Sequence, residues 1–205
     1  MEQAKTSKQW TLKNAIMLAV FSVIMLVLTM IVVVVMNIVA TPVGAYYTAP
    51  GVAALICAPF YMAMADKIAK RGVLFFTCLI PALIFALMGQ FYSAVIYFIF
   101  GVIGELCMLG NDSYHNPIRN LFGFFLYMVG YAGGGIFPMI FFRQQYLAWY
   151  TAYSNGDTAA VQVMIDVFGS PVGIAVCLII TAVGCVIGGL IGRSILNRHV
   201  RKARI

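Results

Sequence analysis

Long apolar runs alternate with short polar stretches along the chain, and their spacing predicts six transmembrane helices near 14–39, 51–65, 72–89, 94–109, 121–142 and 170–192. A helix needs about 20 apolar residues to cross the hydrocarbon core of a bilayer. The first, fifth and sixth runs supply that length, and the three between them approach it. Trp10 and Thr11 precede the first run as an interfacial aromatic and an N-cap. Residues 40–50 (ATPVGAYYTAP) read as an outer connection and 66–71 (DKIAKR) as an inner turn. Residues 90–93 (QFYS) read as a tight outer turn and 111–120 (NDSYHNPIRN) as the polar return to the inner side. Pro50, Gly51 and Pro59 leave open whether span 2 crosses fully or re-enters.

The longest polar-rich segment, 143–169, does not read as plain coil. Residues 144–154 are rich in helix formers and aromatics, and Asn155-Gly156-Asp157 signals a turn. Residues 158–168 then set Ala160, Val161, Val163, Met164 and Val167 against Gln162 and Asp166, the pattern of a short amphipathic helix lying at the outer surface. A lid over a pocket and a passive interfacial helix both give this pattern. Gly169-Ser170-Pro171 opens the last span.

The composition agrees. With 63% hydrophobic and 9% charged residues and a mean hydropathy of +0.98, the chain is one integral membrane domain, 1–205, and no soluble domain. The length of the first run argues for a retained span and against a cleaved signal peptide. The charge of +7 is not a nucleic-acid signature, because the cations flank apolar runs. Twelve of the thirteen Lys and Arg residues lie at 5–13, 67–71, 119 and 193–204, all on one side if six spans are threaded. Cytoplasmic loops retain Lys and Arg, so both termini are expected inside, in the plasma membrane of a bacterium. Cys57, Cys78, Cys107, Cys177 and Cys185 fall in apolar runs without CxxC spacing and read as small hydrophobes. His115 and His199 have no second ligand at metal-binding spacing, so no metal is expected.

Small residues carry a further signal, because helices in lipid associate by close backbone approach. Ala15 and Ala19 form an AxxxA in span 1, and Gly184, Gly188 and Gly192 recur every four residues in span 6. With six spans and inner termini, this resembles the substrate-binding S-components of energy-coupling factor (ECF) transporters, and more closely the Trep_Strep family of S-components. Four segments carry the closer likeness: Leu12-Lys13-Asn14; 66–72 (DKIAKRG); 101–106 (GVIGEL) with 119–123 (RNLFG); and 188–193 (GGLIGR) with Arg198-His199. The resemblance implies a vitamin or other micronutrient as solute. It also implies a membrane-embedded T-component docked on Ala15 and Ala19, and two cytoplasmic ATPases. The chain has no Walker A motif, so ATP would be used only by those partners, and no catalytic cofactor is expected.

Arg143 is the thirteenth cation, alone at the outer side, followed by Gln144, Tyr146, Trp149 and Tyr150. A guanidinium there can hold a carboxylate or phosphate while aromatics stack on a ring. Tyr46, Tyr47, Gln90 and Tyr92 from the other outer segments are expected to complete the pocket, and the solute to carry a ring and an anionic group. Tyr127 and Tyr131 face either this pocket or the bundle. Glu105, the one acid well inside a span, reads as a structural or docking group paired with Arg119 or Arg71. Pro138 is expected to open its helix locally, with a neighbour satisfying the freed carbonyl. An autonomous secondary transporter is the alternative, with Gly133-Gly134-Gly135 and Pro138 as a broken helix, although no internal repeat supports it. No catalytic constellation appears within the spans, so an enzyme is not expected.

Overall fold

The computed structural model describes residues 10–110, 113–153 and 159–200, and among them every regular element is helical. The order is α1 (Leu12–Val39), α2 (Pro42–Ile68), α3 (Val73–Leu87), α4 (Phe91–Cys107), a 3₁₀ turn (Ser113–His115), α5 (Pro117–Phe141), α6 (Arg143–Tyr153), α7 (Ala159–Phe168) and α8 (Pro171–Ile195). By length and composition α1, α2, α5 and α8 can each cross a membrane, while α3 and α4 are shorter apolar helices of 15 and 17 residues.

Side-chain caps set the helix starts. Thr11, Thr41, Asn116 and Ser170 each accept from backbone N–H groups of the first turn, and Pro follows at the first position of α2, α5 and α8. The second of these corrects the sequence reading. Thr41 and Pro42 start a helix, so 42–50 is not an outer connection, and only Ala40 and Thr41 join α1 to α2. Nor is α2 interrupted: it runs unbroken through Pro50 and Pro59 to Ala69, which closes it in the left-handed conformation, and is long and apolar enough to cross a membrane. Likewise α5 passes through Gly133–Gly135 and Pro138 to Phe141, so the broken helix is absent.

Prolines inside helices free the carbonyl four residues earlier, and neighbouring helices use those acceptors. Ser93 Oγ donates to Gly134 O at 3.1 Å, as expected of a neighbour to Pro138. Cys177 Sγ lies 3.9 Å from Tyr46 O, the acceptor freed by Pro50. At Pro59 the freed Leu55 carbonyl meets the backbone of Gly188, where an added Cβ would sit 2.6 Å from it.

That last contact belongs to the tightest interface in the bundle. Gly184 packs on Gly51, Gly188 on Leu55 and Ala58, and Gly192 on Pro59. The matched order of these positions makes α2 and α8 parallel. Gly101 and Gly104 set α4 against Cys78 and Leu74 of α3, and Gly130 and Gly134 set α5 against Phe100 and Ser93 of α4. These pairs run antiparallel.

One end of the bundle collects the described cations of the helix flanks. Trp10 Nε1 donates to Arg71 O at 3.1 Å, His115 Nδ1 lies 3.2 Å from Asp66 Oδ1, and Arg119 donates to Ser113 Oγ at 2.9 Å. Lys13, Lys67 and Arg193 lie in the same terminal turns. Glu105 is also at this end but does not pair with Arg119 or Arg71. Its carboxylate accepts from Gly72 N at 2.6 Å, Phe75 N at 3.3 Å and Tyr114 Oη at 2.6 Å. Burial is the main force raising the Tyr114 hydroxyl pKa, with Tyr61 and Glu105 adding to it, so this hydroxyl remains a donor.

The opposite end carries two short helices, where the sequence reading placed one amphipathic helix. Val161, Met164, Ile165 and Phe168 of α7 are buried at i, i+3, i+4 and i+7, while Val163 is exposed. This face packs on Ala132, Ile136, Met139 and Cys177, so α7 is seated on protein. The Asn155-Gly156-Asp157 turn lies outside the described residues.

Candidate functional site

A cavity of about 340 Å³ opens into the bundle at the end opposite the basic residues. This is within the size range of small-molecule sites, roughly 300–1,000 Å³. All six long apolar helices or their caps contribute. Met30, Val33 and Asn37 come from one stripe of α1, spaced i, i+3, i+7. Gln90, Ser93 and Tyr97 repeat that spacing from the cap of α4 inward. From α2 come Ala45, Tyr46, Ala49 and Pro50; from α5, Tyr131, Ala132, Gly135 and Ile136. Phe85 and Met88 of the α3 end and Cys177 of α8 close the wall.

Part of the wall is aromatic and closely packed. Phe85 and Tyr97 stack with centroids 5.7 Å apart and an interplanar angle of 17°, and Tyr97 meets Tyr127 at 5.7 Å. Tyr97 and Tyr127 are almost fully buried, so their positions are fixed by packing. Polar atoms are spread around the wall. Asn37 Nδ2 donates to Val33 O at 2.8 Å, which leaves its Oδ1 as an acceptor. The hydroxyl of Ser93, already donating to Gly134 O, can still accept. Neither the Tyr131 hydroxyl nor the Gln90 side-chain amide makes a hydrogen bond among the described residues.

The expected site residues divide. Tyr46 and Gln90 line the cavity. So does Tyr131, whereas Tyr127 faces the bundle. Tyr146 of α6 reaches the rim through its hydroxyl, 3.3 Å from that of Tyr46. Tyr47 packs on Phe168 with centroids 4.7 Å apart, and Tyr92 on Phe142 at 4.5 Å, so both serve packing around the cavity and neither lines it. Gln144 is exposed on α6 and does not line it either. The side chains of Trp149 and Tyr150 lie outside the described residues.

Arg143 does not line the cavity. Its guanidinium forms an ion pair with Asp166, whose carboxylate also accepts from Gln162 Nε2 at 3.2 Å. This links the start of α6 to α7 at the surface. With side-chain exposures of 47% and 57%, the pair sits in solvent, where such bridges contribute about 0–1 kcal/mol. Arg143→Gln is therefore expected to change the melting temperature by no more than about 2–3 °C. A loss well beyond that in a thermal melt would show a larger structural role for the clasp.

Asn37 and Tyr97 are not singled out by the sequence reading, and Ser93 is read there as part of a turn, whereas α4 begins at Phe91. Asn37 shares a helical stripe with Met30 inside the first apolar run, and Tyr97 shares one with Gln90 and Ser93.

Two exposed alanines lie at the other end of α1. Ala15 and Ala19 sit on the surface of the bundle, beside a shallow apolar groove formed by Leu12, Ile16, Met17, Val20 and Phe21. Among the described residues no helix covers them.

No curated protein and no solved structure matches the chain. The family of hypothetical bacterial integral membrane proteins termed Trep_Strep matches residues 12–202. That match takes in every helix that builds the cavity and the groove, and the chain belongs to the Trep_Strep family of bacterial integral membrane proteins.

Proposed function

We propose that this protein is the solute-binding S-component of an ECF-type importer in a bacterial plasma membrane, taking up a vitamin or other micronutrient. The observation that carries the reading is the cavity itself, built where six apolar helices converge at the end away from the cations. In this reading all six cross the bilayer. The two short ones, about 23 and 26 Å at 1.5 Å per residue, are accommodated by local thinning and flanking residues. The positive-inside bias then puts both termini in the cytoplasm and the cavity mouth outside.

The exposed Ala15 and Ala19 support a docking role. Small side chains let a partner helix approach closely, and this partner would be the membrane-embedded T-component. Two cytoplasmic ATPases bound to it would supply the energy, reorienting the loaded subunit to release solute inside. The chain itself is then a binding subunit and no enzyme.

Tagged protein purified from its native membrane is expected to bring down a T-component and two ATPases. Changing Ala15 and Ala19 together to Trp should lower that recovery at least tenfold and leave the melting temperature of the isolated subunit unchanged, because both positions are exposed. A solitary protein that moves solute into liposomes without ATP would sink this reading and make the protein a secondary transporter.

A further inference from the structure

We infer that the cavity selects an uncharged, ring-bearing solute with amide, carbonyl or hydroxyl groups, and discriminates against anions and cations. The inference rests on the reading of the cavity as the solute site and narrows what that site takes.

Among the described residues the lining carries no formal charge: none is Asp, Glu, Lys, Arg or His. Arg143, the cation expected to meet an anionic solute, is committed to Asp166 on the exposed side of α6 and α7. A charged group brought into such a wall would lose its hydration with no counter-ion to replace it, which is a heavy penalty in an apolar site. A neutral polar group loses far less, and the wall offers it partners. Asn37 Oδ1 accepts, the Gln90 amide both donates and accepts, and the Tyr131 hydroxyl does the same.

The ring requirement comes from the apolar remainder. The Phe85 and Tyr97 rings lie nearly parallel and almost fully buried in the lining, so this part of the wall is set before any solute arrives. Aromatic faces reward a flat ring in offset or edge contact. Met30 and Met88 flank it with flexible, polarizable side chains that adapt to ring size. The cavity volume of about 340 Å³ limits the solute to a small ring system.

The test uses the full chain, purified from its native membrane and analysed by mass spectrometry of an acidic methanol extract. Calorimetry follows with the extracted compound and with matched probes: benzamide and benzoate, nicotinamide and nicotinate, indole-3-acetamide and indole-3-acetate. The expected result is a neutral ring compound in the extract, and neutral probes that bind at least tenfold tighter than their acids. Asn37→Ala or Tyr131→Phe should weaken that binding about five- to tenfold, the worth of one hydrogen bond, while Arg143→Gln leaves it unchanged. Size-exclusion profiles of the variants establish that each is folded. A carboxylate or phosphate solute whose binding fails in Arg143→Gln would overturn this inference and leave the solute-binding reading standing. An empty extract, with no probe bound by the folded protein, would remove both.

Discussion

Replacing Gly184 by alanine is expected to destabilise the folded protein by about 2–3 kcal/mol, and replacing it by leucine to prevent recovery of monodisperse protein. A Cβ at Gly184 would overlap the carbonyl group of Gly51 on α2. Both partners in that contact are backbone, so no rotamer change can relieve it. The helices would have to separate, and the parallel α2–α8 seam would open along its length, because Gly188 and Gly192 meet Leu55 and Pro59 in the same register. A seam held by close approach has little to replace it in lipid, where neighbouring acyl chains are as apolar as the helix surfaces.

The control is Gly133→Ala on α5. Its nearest neighbour would be the Ile96 Cγ2 methyl at 3.3 Å, a side-chain atom that can shift. Alanine also favours helix over glycine by about 0.8–1.0 kcal/mol. That variant is expected to be neutral or slightly stabilised. The same chemical change thus gives opposite signs at two glycines, and thermal melts in detergent read the difference directly. Equal melting temperatures for Gly184→Ala and Gly133→Ala would mean that the α2–α8 contact does not hold the bundle together.

The regularity that makes Gly184, Gly188 and Gly192 visible in the sequence also explains what was legible there. Apolar length marked every long helix, and four-residue spacing marked the tight seam, because both are properties of a single helix. The chemistry of the cavity was less legible. Asn37, Ser93 and Tyr131 come from three different helices, and only packing tells which face of each helix meets the others. The partner of Arg143 was hidden for the same reason. Its isolation from the other cations is a sequence property, but its partner Asp166 is 23 residues away on another helix. The start of α2 was hidden by composition: Gly44, Pro50 and three polar residues resemble a loop, whereas Thr41 and Pro42 form an N-terminal cap that the helix continues from. Pro50 is tolerated there because the carbonyl it frees faces Cys177 of α8.

Glu105 finds its partners the same way, across helices. The expectation is a structural or docking group paired with Arg119 or Arg71; its carboxylate instead meets backbone groups and a tyrosine. Gly72 occupies the N-cap of α3 in a left-handed conformation and has no side chain with which to cap. The first turn of α3 is served from outside: Gly72 N and Phe75 N by the two oxygens of Glu105, and Leu74 N by Tyr114 Oη at 3.1 Å. Tyr114 in turn donates to Glu105. A carboxylate at this point also complements the positive end of the helix dipole. Removing it in Glu105→Ala leaves two backbone donors and a hydroxyl without their acceptor. Bonds to a charged group contribute about 1.5–3 kcal/mol each, but Glu105 is only half-buried and water can reach part of the gap, so a total cost of about 2–4 kcal/mol is expected. Glu105→Gln keeps one acceptor oxygen and should lose about half as much. Tyr114→Phe should cost about 1–2 kcal/mol alone. In the double variant with Glu105→Ala the losses should fall short of additive, since the two side chains share a hydrogen bond. Strict additivity in a double-mutant cycle would show that the carboxylate and the hydroxyl act separately. If Glu105→Ala melted with the parent protein, the carboxylate would not be the cap of α3, and the left-handed Gly72 would have to be stabilised by the α2–α3 turn alone.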